Sequence, residues 1–113
     1  MGNILDPINS LSSREKKTIS VFLKDFSGEK LILFGSKARG DSRKSSDIDL
    51  LAVVKNKKAE EQIYANVAKA LSLFGIYLSV KTFPKSEFER ITQLETPFIE
   101  NINREGIILW QRP

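Results

Sequence analysis

The 113 residues predict a small α/β fold, because three kinds of signal alternate along them: amphipathic stretches at helical spacing, short runs of Ile, Leu and Val, and glycines or prolines between them. A chain of this length has room for one modest core, so residues 1–113 are taken as a single domain. No repeat, linker or low-complexity segment interrupts it.

The first helix is announced by Ser12-Ser13-Arg14-Glu15, which reads as a capping box, and by the apolar stripe Ile19, Phe22, Leu23 and Phe26, with Gly28 as its expected end. Lys30 to Phe34 is a short apolar run, read as a buried strand that delivers the chain into a Gly-Ser turn. About one helical turn fits around Ala38 before Gly40 breaks it. Asp47 to Val54 is a second strand, acidic where it starts and aliphatic beyond. Ile63, Val67, Ala70, Leu71 and Phe74 recur at helical spacing, with Glu60 and Glu61 in the first turn and Gly75 as a stop. A third strand runs from Ile76 to Phe83, with Ile76, Leu78 and Val80 on one face and Tyr77, Ser79 and Lys81 on the other. Pro84 opens a helix through Phe88 and Ile91; Thr96-Pro97 starts another, closed by Gly106; Ile107 to Trp110 is the last strand. Phe98, Ile102 and Trp110 fit either the core or an interface, including one between copies of the chain, and core is the preferred reading.

Composition narrows the chemistry. With no cysteine and no histidine, the chain cannot form a disulfide, an ordinary zinc site or an imidazole general base. A bound metal must be held by oxygens, which favours Mg²⁺ or Mn²⁺. The net charge of +4 suits an anionic ligand, but Lys16-Lys17, Arg43-Lys44 and Lys55 to Lys58 are dispersed and read as solvated surface, so nucleic acid is not the expected partner. No apolar run is long enough to cross a bilayer, and the first residues have neither a basic start nor an apolar signal core. A soluble, cytoplasmic protein with no membrane partner is expected.

Two motifs carry the function. Asp47 and Asp49 are two apart in a strand, so both point to one face with Cα atoms about 7 Å apart, close enough to share a divalent cation whose shell a triphosphate completes. In the turn before them, Gly35 permits close backbone approach to a phosphate, and the Ser36 hydroxyl and nearby N–H groups can donate to it. Arg39 can reach a phosphate or brace a carboxylate across the turn. A carboxylate at Asp49, inside an otherwise aliphatic strand, would be costly to bury unless paired or bound to a cation.

Gly35-Ser36-Lys37-Ala38-Arg39-Gly40 followed by Ser46-Asp47-Ile48-Asp49-Leu50 resembles the signature of the DNA polymerase beta-like nucleotidyltransferase superfamily, and the chain's size resembles its minimal nucleotidyltransferases. The resemblance implies a mixed sheet flanked by helices, Mg²⁺ with a nucleoside triphosphate (ATP first), and transfer of a nucleoside monophosphate to an acceptor hydroxyl. It assigns Gly35 and Ser36 to the triphosphate, Asp47 and Asp49 to metal and catalysis, and Arg39 and Gly40 to the turn. It also implies a third acid on the following strand. That strand has none, and its polar face offers Ser79 and Lys81.

Three explanations stand open. Glu87, Glu89 or Glu100 could swing in from a helix; Lys81 could supply charge beside the triphosphate in place of a second metal; or the chain could bind without turnover. The resemblance further implies a helical HEPN-type toxin as partner, with one of its tyrosines as acceptor and this chain as antitoxin. The competing expectation is a module that neutralises its partner by contact alone.

Overall fold

The computed structural model describes residues 4–40 and 47–113. Helix α1 (Ser13–Lys24) begins at the expected capping box: the Ser12 hydroxyl accepts from the Glu15 N–H at 3.1 Å, and the Glu15 carboxylate accepts from the Ser12 N–H at 2.8 Å. The helix ends at Lys24, short of Gly28. Gly28 is needed for packing instead, since a Cβ there would lie 2.9 Å from the Val53 carbonyl oxygen.

Strand β1 (Lys30–Phe34) leads into the single turn α2 (Ser36–Arg39), which Gly40 ends in the left-handed region. Strand β2 (Ile48–Val54) leads into α3 (Lys57–Phe74), capped by Asn56 and stopped by Gly75. Ser46 and the surface reading of Arg43 and Lys44 lie outside the described residues. On α3, Ile63, Val67 and Ala70 are buried as expected, but Leu71 is 46% exposed. It sits on the flank of the stripe that Ile63, Val67 and Ala70 already complete.

Strand β3 (Leu78–Pro84) starts two residues later than expected and runs directly into α4 (Lys85–Ile91). Helix α5 (Pro97–Glu105) is capped by the Thr96 hydroxyl, which accepts from the Ile99 N–H at 3.2 Å. Strand β4 (Ile107–Gln111) follows Gly106.

The strands form one mixed sheet in the order β3-β2-β1-β4. β1 is antiparallel to β2 and β4, whereas β2 and β3 are parallel, joined by the α3 crossover. The helices flank both faces, so the expected α/β fold with a mixed sheet is the one observed. The face beneath α1 and α3 holds the larger core, including Ile19, Phe22, Leu31, Leu33, Leu50, Val54, Ile63 and Leu78. The other face, beneath α4 and α5, centres on Ile32, Leu51, Val53 and Ile102, with Phe34, Phe83, Phe88 and Phe98 packed around them. Phe98, Ile102 and Trp110 therefore belong to the core: Phe98 meets Phe34 edge-on at 5.9 Å and Trp110 meets Phe26 at 5.5 Å. Among the described residues, no helix is long and apolar enough to cross a membrane.

Candidate functional site

The sheet register brings the two motifs together. Phe34, the last residue of β1, pairs with Asp49, so the turn that follows opens beside the acidic start of β2. On the other side Asp49 pairs with Ser79 of β3, and Leu51 pairs with Lys81. Paired residues in a sheet share a face, so Asp49, Ser79 and Lys81 all lie on the α4/α5 side.

Gly35 lies directly against the Asp49 carboxylate. Its backbone has φ 75° and ψ −159°, a conformation essentially restricted to glycine, and a Cβ there would lie 2.5 Å from Asp49 Oδ2. Two demands therefore require glycine here, the turn geometry and room for the carboxylate. The N–H groups of Ala38 and Arg39 both donate to the Gly35 carbonyl at 3.1 Å, and that of Gly40 donates to the Ser36 carbonyl at 3.0 Å. Ser36 is half-buried at the head of this turn.

Charges of both signs converge on Asp49. Burial raises its pKa above the ordinary 3.8, and the neighbouring Asp47 carboxylate raises it further, while Lys81 and Arg39 pull it down. Asp47 is exposed just ahead of β2, whereas Asp49 is half-buried within it. A divalent cation between the two would relieve the same repulsion, and the all-oxygen donor set suits Mg²⁺ or Mn²⁺. Among the described residues, no three His, Cys, Asp or Glu side chains form a ready-made metal cluster. The remaining ligands of such a cation would come from phosphate and water, as is usual for Mg²⁺.

The glutamates considered as a third acid are engaged elsewhere or lie on helix surfaces. Glu87 is bound to Arg90 through both carboxylate oxygens, at 2.5 and 3.2 Å, and that contact holds its pKa low. Glu89 lines a cavity with Lys30 and Val53, at the opposite end of the sheet. Glu100 is exposed on α5.

Among the described residues, the fold does bring Glu105 near, at the end of α5, where it pairs with Arg39 at 3.3 Å. It lines a cavity of about 220 Å³ with Phe34, Gly35, Arg39, Phe98 and Asn101. Sequence reading missed it, since its one signal was a position just before the Gly106 stop. A larger cavity, about 420 Å³, lies at the other end of the sheet around Lys55, Lys58 and Arg112 and shares no residue with this site. Size alone does not locate the chemistry.

A glycine turn against the Asp49 carboxylate near the start of β2, with Asp47 just ahead of that strand rather than within it, fits a nucleotidyltransferase. The family model described as "Polymerase beta, Nucleotidyltransferase" matches residues 16–113, and the chain belongs to that family. Among particular proteins, it is 36% identical over 95 residues to "Putative protein adenylyltransferase MJ0141" of Methanocaldococcus jannaschii, covering 81% of this chain and 88% of that one. Among solved structures, a chain of a mutant of the toxin–antitoxin pair MntA–HpeT superposes with a TM-score of 0.51 at 15% identity, covering 86% of this chain and 73% of that chain. A "putative nucleotidyltransferase" from Sulfolobus solfataricus gives 0.48 at 23% identity, with 99% and 90% covered.

Proposed function

We propose that the chain transfers AMP from Mg²⁺- or Mn²⁺-bound ATP to a hydroxyl on a protein partner. The observation that carries this reading is the absence of a Cβ at Gly35, which lets the turn lie against the Asp49 carboxylate. Gly35 and Ser36 hold the triphosphate, Asp47 and Asp49 hold the cation, and Arg39 and Lys81 offset phosphate charge. The cation supplies charge neutralisation at the transferring phosphoryl group. The acceptor oxygen bonds to the α-phosphorus, the bond to the β-phosphate oxygen breaks, and pyrophosphate leaves. Since Ser79 stands beside Asp49 where an acid would serve as base, the hydroxyl proton passes to solvent, and turnover is slow.

The relative named for protein adenylylation supports a protein acceptor and an adenine nucleotide. The acceptor is read as a hydroxyl on a separate protein chain. A helical HEPN-type toxin is the partner proposed, with a tyrosine as acceptor and this chain as antitoxin. The Ser79 position also favours a second reading, in which the chain binds nucleotide and silences its partner by contact.

Incubation with such a partner and α-labelled ATP in Mg²⁺ or Mn²⁺ separates the two. Label on the partner, lost in Asp49→Asn, is the expected outcome. A stable complex that never acquires label leaves only the contact reading, and transfer by Asp49→Asn at the wild-type rate removes Asp49 from the site.

A further inference from the structure

Lysine in a phosphate-binding motif is usually expected to face the phosphate, and Lys37 does the opposite. It is 1% exposed, and its ammonium donates to the Ser10 carbonyl at 3.2 Å and contacts both Glu15 oxygens at 3.3 and 3.2 Å. The Ser10 hydroxyl in turn donates to the Lys37 carbonyl. Lysine is almost never fully buried unless paired, and here two hydrogen bonds and an ion-pair contact hold the ammonium on the α1 side of the sheet. Arg39, two residues on, stays near Asp49.

We propose that Lys37 is a positioning residue: its buried pairing with Glu15 and Ser10 anchors the turn from Gly35 to Gly40 and so sets where Gly35 and Ser36 stand relative to Asp49. The consequence for nucleotide binding rests on the function proposed above, but the anchoring itself does not. A single helical turn cannot sustain itself, because nucleation is unfavourable, and glycines at both ends of α2 leave its direction unconstrained. The turn therefore takes its place from side chains that reach into the body. Ala38 packs on the larger core, and Lys37 supplies the polar tie.

The other end of that tie is rigid. Glu15 Oε1 also accepts the Ser12 N–H that closes the α1 capping box, and Ser10 lies in a segment fixed by buried Leu5, Ile8 and Leu11. One carboxylate thus joins the start of α1 to the phosphate turn. Removing the lysine leaves that carboxylate half-buried without its partner.

Amide hydrogen exchange of the full chain without nucleotide tests the anchoring. In Lys37→Met, the amides of Ala38, Arg39 and Gly40 should exchange at least about tenfold faster, while Gly75 at the end of α3 stays within about twofold of wild type. Glu15→Gln, which keeps an acceptor for the Ser12 N–H, should give the same pattern more weakly and covers the case in which Lys37→Met does not fold. Mg²⁺–ATP should then bind about tenfold more weakly to either folded variant, a loss of about 1.4 kcal/mol. Unchanged turn amides, equal acceleration at Gly75, or a loosened turn with unaltered ATP affinity would each overturn the proposal. Failure of the wild-type chain to bind Mg²⁺–ATP would instead refute the site reading, and the exchange pattern would still decide the anchoring.

Discussion

Along β2, the even-numbered residues Ile48, Leu50, Ala52 and Val54 face α1 and α3, while Asp49, Leu51 and Val53 face α4 and α5. The first set is aliphatic to the strand's first residue, because two long helices and the segment around Leu5, Ile8 and Leu11 cover it completely. The second is aliphatic only where α4 and α5 reach. Its cover is short helices and half-buried phenylalanines, and where that cover stops the strand carries Asp49 with Ser79 and Lys81 beside it. The contrast explains how one strand can be both the centre of the core and the platform for charge. Stability is concentrated on one face, and the other gives up cover at one end to expose a carboxylate.

The largest test of that contrast is mutational. Leu50→Ala on the aliphatic face, where Leu50 is fully buried, should cost about 2–5 kcal/mol in urea denaturation. Phe98→Ala on the thinner face, where the ring is only half-buried, should cost about 1–2 kcal/mol, part of the value of full burial. Equal losses would mean that the aromatic layer is as much a core as the aliphatic one.

An effect smaller than that at Leu50 is expected at the boundary between core and site. Gly35→Ala should cost about 1–3 kcal/mol for the backbone conformation alone. The new Cβ would also push the Asp49 carboxylate aside, so Mg²⁺–ATP binding should fall in the same variant. A destabilised protein that still binds like wild type would show that the close approach of the turn serves folding only.

Much of this was legible in the sequence, and the reasons differ by element. The capping box at Ser12 and Glu15, the Thr96-Pro97 start and the Gly75 stop are local devices that require one conformation wherever they occur. The pair at Asp47 and Asp49 was visible because acids break an aliphatic run. What stayed hidden depends on contacts between distant residues. Gly28 read as a helix stop because nothing local reveals that Val53 passes beside it. Lys37 and Glu15 are 22 residues apart, and Arg39 and Glu105 are 66 apart, so neither pair leaves a pattern in sequence. The strand alternation placed Ser79 on the correct face, but only the register put it directly beside Asp49.

The smallest expected effect is electrostatic and belongs to the exposed end of the second face. Burial and the Asp47 charge favour the protonated form of Asp49 in the folded chain, with Lys81 and Arg39 opposing incompletely. A raised folded pKa means that the native state holds its proton more tightly than the unfolded one. The stability this group contributes is therefore fully present below its ordinary 3.8 and is lost as pH rises through the folded value. Above that value a standing penalty remains, caused by a half-buried charge facing a like charge. Asp49→Asn keeps the shape and removes the titration, so it should be slightly more stable than wild type near neutral pH, and the difference should vanish in acid. Denaturation midpoints of both proteins at stepped pH values measure this directly. Added Mg²⁺ should raise the wild-type midpoint at neutral pH and leave that of Asp49→Asn unchanged, because the cation relieves a repulsion that the amide no longer has. Parallel pH profiles for the two proteins would mean that the uncovered end of the sheet imposes no penalty on its carboxylate, and the electrostatic half of the contrast between the faces would fall.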